Sequence, residues 1–326
     1  MKYFLVVMIL AFFSAEACFA VEAAVAAPQA VLTVEVTNGT ANGTTVTDDM
    51  VSVRVYEHGQ LLRTLESTVS ADGVAVFENV SIGDHTVALA RAKHQDMMFN
   101  GRPVTLRPRE KEFFALVQVF DVSDDMSNLS IGTHHLIIKA HPVLLEITEY
   151  MQLKNSSDMA VTSKERDNQN RPVVLEIILP KGFKNLRFSG YFEDDAVLVT
   201  EKGFYDTMAV PPGEYQAAFS YTIEITSDTI DIVKEISLPT SNFVVFAELG
   251  QAKLQGLGQS ENQLIRTNGV PMEYYKRSNL APAEKIAFQI TGFNVNRSAL
   301  GTWVILAVVF GAIVVLAVSR LRSKET

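Results

Sequence analysis

Cysteine is almost absent from this chain of 326 residues. The single cysteine, Cys18, lies close to the N-terminus, so the rest of the chain cannot form an internal disulfide. Its stability must therefore come from a buried apolar core rather than from covalent cross-links. A covalently bound haem is also excluded, because the Cys-x-x-Cys-His motif is missing.

Basic residues are fewer than acidic residues in this sequence. The chain has 28 Lys and Arg against 37 Asp and Glu, which gives a formal net charge of −9. An acidic surface repels nucleic acid and anionic lipid. The composition therefore predicts that nucleic acid is not a partner.

Catalytic motifs are missing as well. The sequence contains no Gly-x-Ser-x-Gly elbow, no phosphate-binding loop and no nucleotide fingerprint. None of the six histidines is followed by Glu at the His-x-x-Glu spacing of a zinc peptidase. Glu146 and Glu149 fall on opposite faces of one predicted strand, so they do not form an acid–base pair. We predict no catalytic, cofactor-binding or metal-binding residues.

Two histidine patterns are weak metal candidates. His135 and His141 share one face of a predicted strand, but a metal would need a third ligand from another strand. His94 with Met97 and Met98 offers soft ligands for Cu(I). We interpret both sets as ordinary side chains, either solvent-facing, hydrogen-bonded or packed at a sheet edge.

Two acidic pairs, Asp124-Asp125 and Asp194-Asp195, lie in turn-like contexts. They lack the spaced oxygen ligands of a calcium loop. We therefore expect no strong Ca²⁺ site at either pair.

The N-terminus has the layout of a secretory signal peptide over residues 1–20. Lys2 precedes a short apolar core, and a small residue, Ala20, stands at the expected cleavage point. The apolar core is shorter than the approximately 20 residues that span a bilayer. We expect residues 21–30 to form a linker after cleavage.

Near the C-terminus, residues 299–318 form an uncharged, mostly apolar run that includes the only tryptophan, Trp303. Its length fits the hydrocarbon core of a bilayer, where a helix satisfies every backbone group. Arg320, Arg322 and Lys324 follow in the tail, residues 319–326. Basic residues stay on the cytoplasmic side. We predict a single-pass cell-membrane protein with its body outside the cytoplasm and its tail inside.

Between these ends, apolar and polar residues alternate with a period of two. The pattern is clear at Leu32, Val34 and Val36, at Val51, Val53 and Val55, and from Tyr215 to Ile225. Gly- and Asn-rich breakers separate the runs. This predicts an all-β chain with two antiparallel β-sandwich domains in tandem, at residues 31–119 and 120–295.

The first of these domains carries a family resemblance. A strand Val51–Tyr56, the turn Glu57-His58-Gly59-Gln60, the strand Gly73-Val74-Ala75-Val76-Phe77 and the stretch Gly83-Asp84-His85 follow in order. This arrangement resembles the carboxypeptidase regulatory-like domain, a transthyretin-like β-sandwich, with His85 where that family usually has an aromatic residue. The resemblance implies a sandwich that accompanies other modules and is not itself catalytic.

The second domain is predicted to contain strands near Leu136–Ala140, Leu144–Leu153, Val173–Leu179, Glu214–Ile225 and Phe243–Leu249. Two polar stretches interrupt them. We interpret residues 155–171 as a long exposed hairpin loop and residues 251–279 as a second polar loop.

These observations favour a membrane-anchored, extracytoplasmic interaction or scaffold protein that binds an envelope protein partner and has no catalytic activity. One alternative is an envelope polymer hydrolase with an unrecognised carboxylate site. Another is a carbohydrate-binding or adhesion module, which a cluster of Tyr191, Tyr274 and Tyr275 on one face would favour. Six Asn-x-Ser/Thr sequons permit glycosylation in a eukaryotic secretory pathway, but the lack of cysteine favours a bacterial envelope.

Overall fold

A computed structural model of the protein describes residues 28–250, 252–258, 265–267 and 270–293. The predicted signal peptide, most of the linker, the apolar run 299–318 and the basic tail lie outside these residues. Within the described part, no helix is long and apolar enough to cross a bilayer.

The described chain is all-β, which confirms the predicted fold class at this level. Its regular elements are strands apart from one 3₁₀ helix, Met126–Asn128. The strands before that helix are β1 Gln29–Asn38, β2 Met50–Glu57, β3 Gln60–Thr68, β4 Val74–Ser81, β5 Thr86–His94, β6 Met97–Asn100, β7 Val104–Leu106, β8 Glu112–Val119 and β9 Val122–Ser123. The strands after it are β10 Leu129–Ala140, β11 Leu144–Asn155, β12 Ala160–Val161, β13 Leu175–Ile178, β14 Phe183–Gly190, β15 Val197–Thr200, β16 Gly203–Asp206, β17 Gly213–Glu224, β18 Thr229–Glu235, β19 Thr240–Glu248, β20 Lys253–Gln255, β21 Ile265–Thr267, β22 Val270–Leu280 and β23 Lys285–Thr291.

Residues 29–119, called the N-terminal unit below, form two sheets over one apolar core. One sheet has the order β4-β1-β8, and the other has the order β3-β2-β5-β6 with β7 paired to β5. The alternation predicted in β1 and β2 is confirmed, since Leu32, Val34, Val51 and Val53 are all buried. Apolar burial of this kind stabilises the unit by roughly 25 cal/mol per Å² removed from water.

The predicted turn between β2 and β3 has the backbone that tight hairpins need. His58 and Gly59 both have positive φ values, 50° and 78°. Two consecutive left-handed residues match the right-handed twist of the flanking strands. This turn makes β3 an edge strand beside β2.

Residues 129–291, called the C-terminal unit below, contain a large sheet with the order β14-β17-β11-β10-β19-β22-β21. Two three-stranded sheets, β13-β16-β15 and β18-β23-β20, share one apolar core with it. Leu145, Ile147, Phe219 and Phe243 are among the buried residues of the large sheet.

Among the strands of the described residues, three pairs are parallel rather than antiparallel: β1 with β8, β10 with β19, and β9 with β12. Each pair joins strands far apart in the chain, and parallel neighbours require such long connections. The alternation of apolar and polar residues shows which face of a strand is buried. It does not show whether the neighbouring strand runs parallel or antiparallel.

The two predicted polar loops are partly wrong. In the stretch 155–171, Ala160 and Val161 are fully buried and form β12, while exposed residues lie before it, at Ser156 and Asp158, and again from Lys164 onwards. In the stretch 251–279, strands β20, β21 and most of β22 replace the expected loop. Short or polar strands carry too few alternating apolar residues to be recognised.

A buried ionic cluster joins the layers of the C-terminal unit. Lys234 Nζ on β18 lies 2.7 Å from Glu149 Oε2 on β11, and both side chains are almost completely buried. His134 Nε2 lies 2.7 Å from the same oxygen, and Tyr221 OH donates to Glu149 Oε1 at 3.0 Å. As predicted, Glu146 lies on the opposite, partly exposed face of the strand.

The cluster shifts the pKa of its members. Burial alone would raise the pKa of Glu149, but the charge of Lys234 and the His134 hydrogen bond outweigh it and lower the pKa to about 2. Burial lowers the pKa of His134 despite the opposing effect of Glu149. The stabilisation that Glu149 provides is therefore present above its ordinary pKa of 4.5 and lost as the pH falls towards about 2.

We expect Lys234→Met to destabilise the protein by about 3–5 kcal/mol near neutral pH, because it leaves the Glu149 carboxylate buried without its counter-charge. The double variant Lys234→Met/Glu149→Gln should cost less than the sum of the two single variants. The measurement is urea unfolding of all three.

The matched control is Lys184→Met. Lys184 Nζ lies 2.6 Å from Glu224 Oε1, but both side chains are more than half exposed. Loss of such a pair costs at most about 1 kcal/mol. If Lys234→Met and Lys184→Met lowered the free energy of unfolding by the same amount, the buried cluster would not stabilise the protein as we expect.

Candidate functional site

The two units meet at an open cleft of about 380 Å³. Apolar and aromatic side chains form its walls: Met98, Phe99 and Phe120 on one side, and Met208, Pro211 and Tyr215 on the other. The rings of Phe99 and Phe120 lie 6.2 Å apart between centroids, and those of Tyr191 and Tyr215 lie 5.4 Å apart. Tyr215 OH donates to the carbonyl of Pro212 at 2.9 Å, which fixes one wall.

Asp195 holds the C-terminal unit against the N-terminal unit next to the cleft. Its Oδ2 accepts from Arg54 Nη1 at 2.9 Å and from Arg91 Nη1 at 2.8 Å. Burial alone would raise the pKa of Asp195, but the two arginines outweigh it and lower the pKa. Of the acidic pair Asp194-Asp195, therefore, Asp195 pairs with arginines rather than offering a metal ligand.

Asp121 makes a second junction just after β8. It accepts from Asn38 Nδ2 at 2.8 Å and from Thr44 Oγ1 at 2.7 Å, and it lies 3.1 Å from His94 Nε2. Burial opposes its ionisation, but these hydrogen bonds from Thr44, His94 and Asn38 hold the pKa of Asp121 well below its ordinary value. Its carboxylate therefore ties the end of β1, the loop after β1 and β5 to the segment that follows β8.

The same junction bears on the copper pattern. His94 is buried, and its Nδ1 lies 2.6 Å from Asp49 Oδ2 while its Nε2 faces Asp121. The Met97 sulfur lies 3.9 Å from Thr162 Oγ1. With both ring nitrogens engaged by carboxylates, His94 has no free nitrogen to offer a metal.

Polar atoms without a partner are concentrated at and below the cleft. Tyr191 OH, Asn100 Oδ1 and Asp206 Oδ2 are buried and have no hydrogen-bond partner among the described residues, and the same holds for Arg91 Nε and, away from the cleft, for Lys234 Nζ, which has only its ion pair with Glu149. Asn100 Nδ2 donates to Glu193 Oε1, and Asp206 Oδ1 accepts from the Met208 amide at 2.9 Å. A buried polar atom without a partner costs about 1–3 kcal/mol, so these atoms mark a region where the packing is not optimal for stability.

The carboxyls around the cleft have raised pKa values. Burial raises the pKa of Asp206 to about 7, and the charge of Glu193 adds to the effect. Burial also raises the pKa of Glu193 itself and, with the charge of Asp206, raises the pKa of the Tyr191 hydroxyl well above its ordinary value. Groups with perturbed pKa values in a cleft mark a candidate functional site.

The structure separates the other residues singled out in the sequence. The His135 ring packs edge-on against Phe246, whereas His141 lies in the turn after β10, 3.1 Å from Glu146. Within the described part of the chain, no group of three or more His, Cys, Asp or Glu side chains is arranged to hold a metal ion.

Asp125 caps the 3₁₀ helix by accepting from the Ser127 amide, and Asp124 lies 3.2 Å from Lys164. This places Asp124 and Asp125 in local structure rather than in a calcium loop.

The proposed tyrosine cluster does not form. Tyr275 is buried in the core of the C-terminal unit, Tyr274 packs beside Phe246 on the opposite face of the sheet, and Tyr191 lies at the cleft. Sequence reasoning missed Asn100, Glu193 and Asp206. Only the packing of the two units brings Asn100 on β6 to Glu193 after β14, and only the fold of the C-terminal unit brings Asp206 on β16 close enough to Glu193 for their charges to interact.

Comparisons with known proteins give no family. No family model matches the sequence, and no curated protein matches it. Among solved structures, a presumed protease from Parabacteroides distasonis is 12% identical, with 51% of this chain and 41% of that chain covered and a TM-score of 0.32. An M1 zinc metallopeptidase from Deinococcus radiodurans is 10% identical, with 50% and 42% covered and a TM-score of 0.31.

The matched regions span less than half the length of those two structures. Similarity this low supports no functional argument. Neither structure is a carboxypeptidase regulatory-like domain by name, so that resemblance stays a prediction.

We expect Asp206→Asn to stabilise the protein above about pH 7, by about 1–3 kcal/mol, because the variant removes a buried charge that has no partner at Oδ2. The folded-state pKa of Asp206 is raised from 3.8 to about 7. The wild-type carboxyl therefore favours the folded state most at pH values below its unfolded-state pKa of 3.8. The protein loses this stabilisation as the pH rises to about 7. The difference between variant and wild type, measured by urea unfolding, should vanish near pH 4.

Asp167→Asn is the control with the opposite sign. Burial alone would raise the pKa of Asp167, but hydrogen bonds from the Arg171 amide and the Tyr205 hydroxyl lower it to about 2. This variant should be less stable than the wild type near neutral pH, and the difference between the two should shrink as the pH falls below 3.8. A pH-independent effect of Asp206→Asn would refute the interpretation.

Proposed function

We propose that this chain is a membrane-anchored, extracytoplasmic interaction protein without catalytic activity, and that the cleft between its two units receives a segment of an envelope protein partner. In this proposal, two sandwich domains in tandem, the first of the carboxypeptidase regulatory-like kind, precede a transmembrane helix at residues 299–318. The N-terminal signal sends the body across the membrane, and the basic tail stays in the cytoplasm.

One observation carries the proposal. An open cleft of about 380 Å³ lies between the two units, with methionine, aromatic and proline walls and with Asn100, Gln118 and Glu193 among its lining residues. Ligand sites are concave, mostly apolar and supplied with a few placed polar groups, and they occur often between domains. The ion pairs of Asp195 and the hydrogen bonds of Asp121 support a cleft of fixed shape.

Site-specific cross-linking in native membranes tests this proposal. We expect a photoreactive phenylalanine analogue in place of Gln118, an exposed residue that lines the cleft, to give one discrete cross-linked species. The same analogue in place of Phe114, whose side chain is 72% exposed on the outer face of the β4-β1-β8 sheet, is the control for a rival apolar surface.

Cross-links from Phe114 and none from Gln118 would place the interaction elsewhere and overturn the proposed role of the cleft. Equal, diffuse labelling from both positions would argue against a specific partner.

A second candidate is a hydrolase acting on an envelope polymer. Two carboxyls with raised pKa values, Glu193 at the cleft and Asp206 beneath it, favour this alternative, because an acid and a base with separated pKa values can share hydrolysis. Against it, Asp206 is fully buried and meets a substrate only if the cleft opens.

If the hydrolase alternative holds, the full chain releases soluble fragments from purified cell-wall polymer, and the rate falls as the pH rises above about 7, where Asp206 loses its proton. Glu193→Gln and Asp206→Asn should then each abolish release, whereas Glu146→Gln on an outer strand face should not. We expect no release by any of these proteins, as the interaction proposal requires.

A further inference from the structure

The described chain leaves the C-terminal unit at one end of the large sheet. Gly292 and Phe293, the last described residues, line an open cavity of about 410 Å³ together with Pro142, Ile225 and Gly250. Those three residues lie in the turns after β10, β17 and β19. We call this end of the unit, which comprises residues 141–143, 225–228, 249–250 and 292–293, the exit end.

Two large apolar side chains are exposed at the exit end. Val143 is 60% exposed, and Leu249 is 41% exposed. We propose that the exit end contacts the bilayer surface, with both side chains in the lipid headgroup region; this proposal rests on the transmembrane helix proposed for residues 299–318. The body is then oriented upright on the membrane, with the N-terminal unit and the cleft directed away from the lipid.

The length of chain after Phe293 keeps the exit end close to the bilayer. Five residues, 294–298, separate Phe293 from the start of the apolar run at Ala299. A fully extended chain spans at most about 3.6 Å per residue, so this connection reaches no further than about 20 Å. The turns that surround Phe293 are therefore the part of the C-terminal unit nearest to the lipid.

Both apolar turns are held by backbone hydrogen bonds. The Ile225 amide donates to the Val143 carbonyl at 3.0 Å, which ties the turn after β10 to the turn after β17. The Leu249 amide donates to the Pro271 carbonyl at 3.0 Å, which ties the turn after β19 to β22. A backbone that is fixed beforehand reduces the conformational entropy lost when these side chains enter the headgroup region.

The charges at this end do not oppose contact with lipid. The turns 180–182 and 201–202 lie there as well, since β14 starts beside the end of β17 and the Leu179 amide donates to the Lys202 carbonyl. Lysines and acidic residues of the described turns are balanced, with two of each: Lys181, Lys202, Glu201 and Asp228. The exit end therefore does not share the net charge of −9 of the whole chain, which anionic lipid repels.

The N-terminal unit lies at the opposite end of the large sheet. At the start of β10, Leu129 pairs with Asn155, and shortly after Asn155 the carbonyl of Asp158 accepts from Thr40 of the N-terminal unit at 3.1 Å. The 12 residues of β10 run from there to Ala140 at the exit end. At about 3.3 Å per residue, the cleft is roughly 35 Å from the exit end, which leaves it open to a partner beyond the lipid surface.

Spin labelling of the full chain in vesicles of phosphatidylethanolamine and phosphatidylglycerol tests this orientation. The only native cysteine is Cys18, so one cysteine introduced into a Cys18→Ser background carries a single nitroxide. Power saturation with oxygen and with a nickel chelate measures how deep the nitroxide lies in lipid. We expect the oxygen-to-nickel accessibility ratio at Val143→Cys and at Leu249→Cys to be at least about threefold that at Leu62→Cys, because side chains at the boundary lie about 5–10 Å into the headgroup region.

Leu62→Cys is the matched control. Leu62 is 59% exposed, close to the value for Val143, but it belongs to the edge strand β3 of the N-terminal unit. A further variant tests whether the apolar side chains themselves hold the contact. Leu249→Asp should lower the ratio at Val143→Cys by at least about twofold, because a carboxylate resists transfer from water, whereas Leu62→Asp should leave that ratio unchanged. Circular dichroism of each variant confirms that it is folded.

A ratio at Val143→Cys no higher than that at Leu62→Cys, or one that Leu249→Asp leaves unchanged, would overturn the proposed contact. Flotation of the same vesicles in alkaline carbonate distinguishes this result from failure of the anchor. If the chain floats with the vesicles while the nitroxides at Val143→Cys and Leu249→Cys are in water, the anchor is retained and only the contact is wrong. If the chain does not float, both are wrong, and the cross-link from Gln118 still tests the cleft independently.

Discussion

The geometry of the cleft depends on two carboxylates that donors of the N-terminal unit hold, one from the C-terminal unit and one from the segment that connects the two units. Asp195 accepts from two arginines of the N-terminal unit, and Asp121 accepts from Asn38 and Thr44 and faces His94. No disulfide within the body can fix the two units, since the only cysteine is Cys18. Charge-assisted hydrogen bonds are roughly twice as strong as neutral ones, and they fix orientation as well as distance. The relative orientation of the two units in turn sets the positions of the side chains that line the cleft.

Sequence patterns predicted the strands that have one buried face and one exposed face. β1, β2 and β17 lie close to their expected positions because water on one side and core on the other impose a period of two. β3 escaped notice because it is an edge strand exposed on most of both faces, so its Leu61 and Leu62 follow no alternation. β12 is too short to show a period at all, although both of its residues are fully buried.

Individual functional side chains were harder to predict than strands. His134 points into the core because the register of β10 shifts between Ile131 and His134, where one extra residue opposes β11. After a bulge of this kind, each later residue of the strand points to the opposite side of the sheet from the one that simple alternation predicts. The local amino-acid composition does not indicate where such a bulge occurs. Asn100 and Tyr191 line one cleft only because sheets that are distant in the chain pack together, and no spacing of residues in the sequence predicts such packing.

The two sets of buried ionisable groups contrast in the partners that their oxygens have. In the core of the C-terminal unit, Glu149 meets Lys234, His134 and Tyr221, so both of its oxygens are engaged. Near the cleft, Asp206 keeps one oxygen without a partner among the described residues, and the Tyr191 hydroxyl likewise lacks one. The carboxylate of Glu149 thus gains a counter-charge and hydrogen bonds from its own unit, whereas Asp206 and Tyr191 each keep an oxygen without such a partner, which adds to the free-energy cost of burying it.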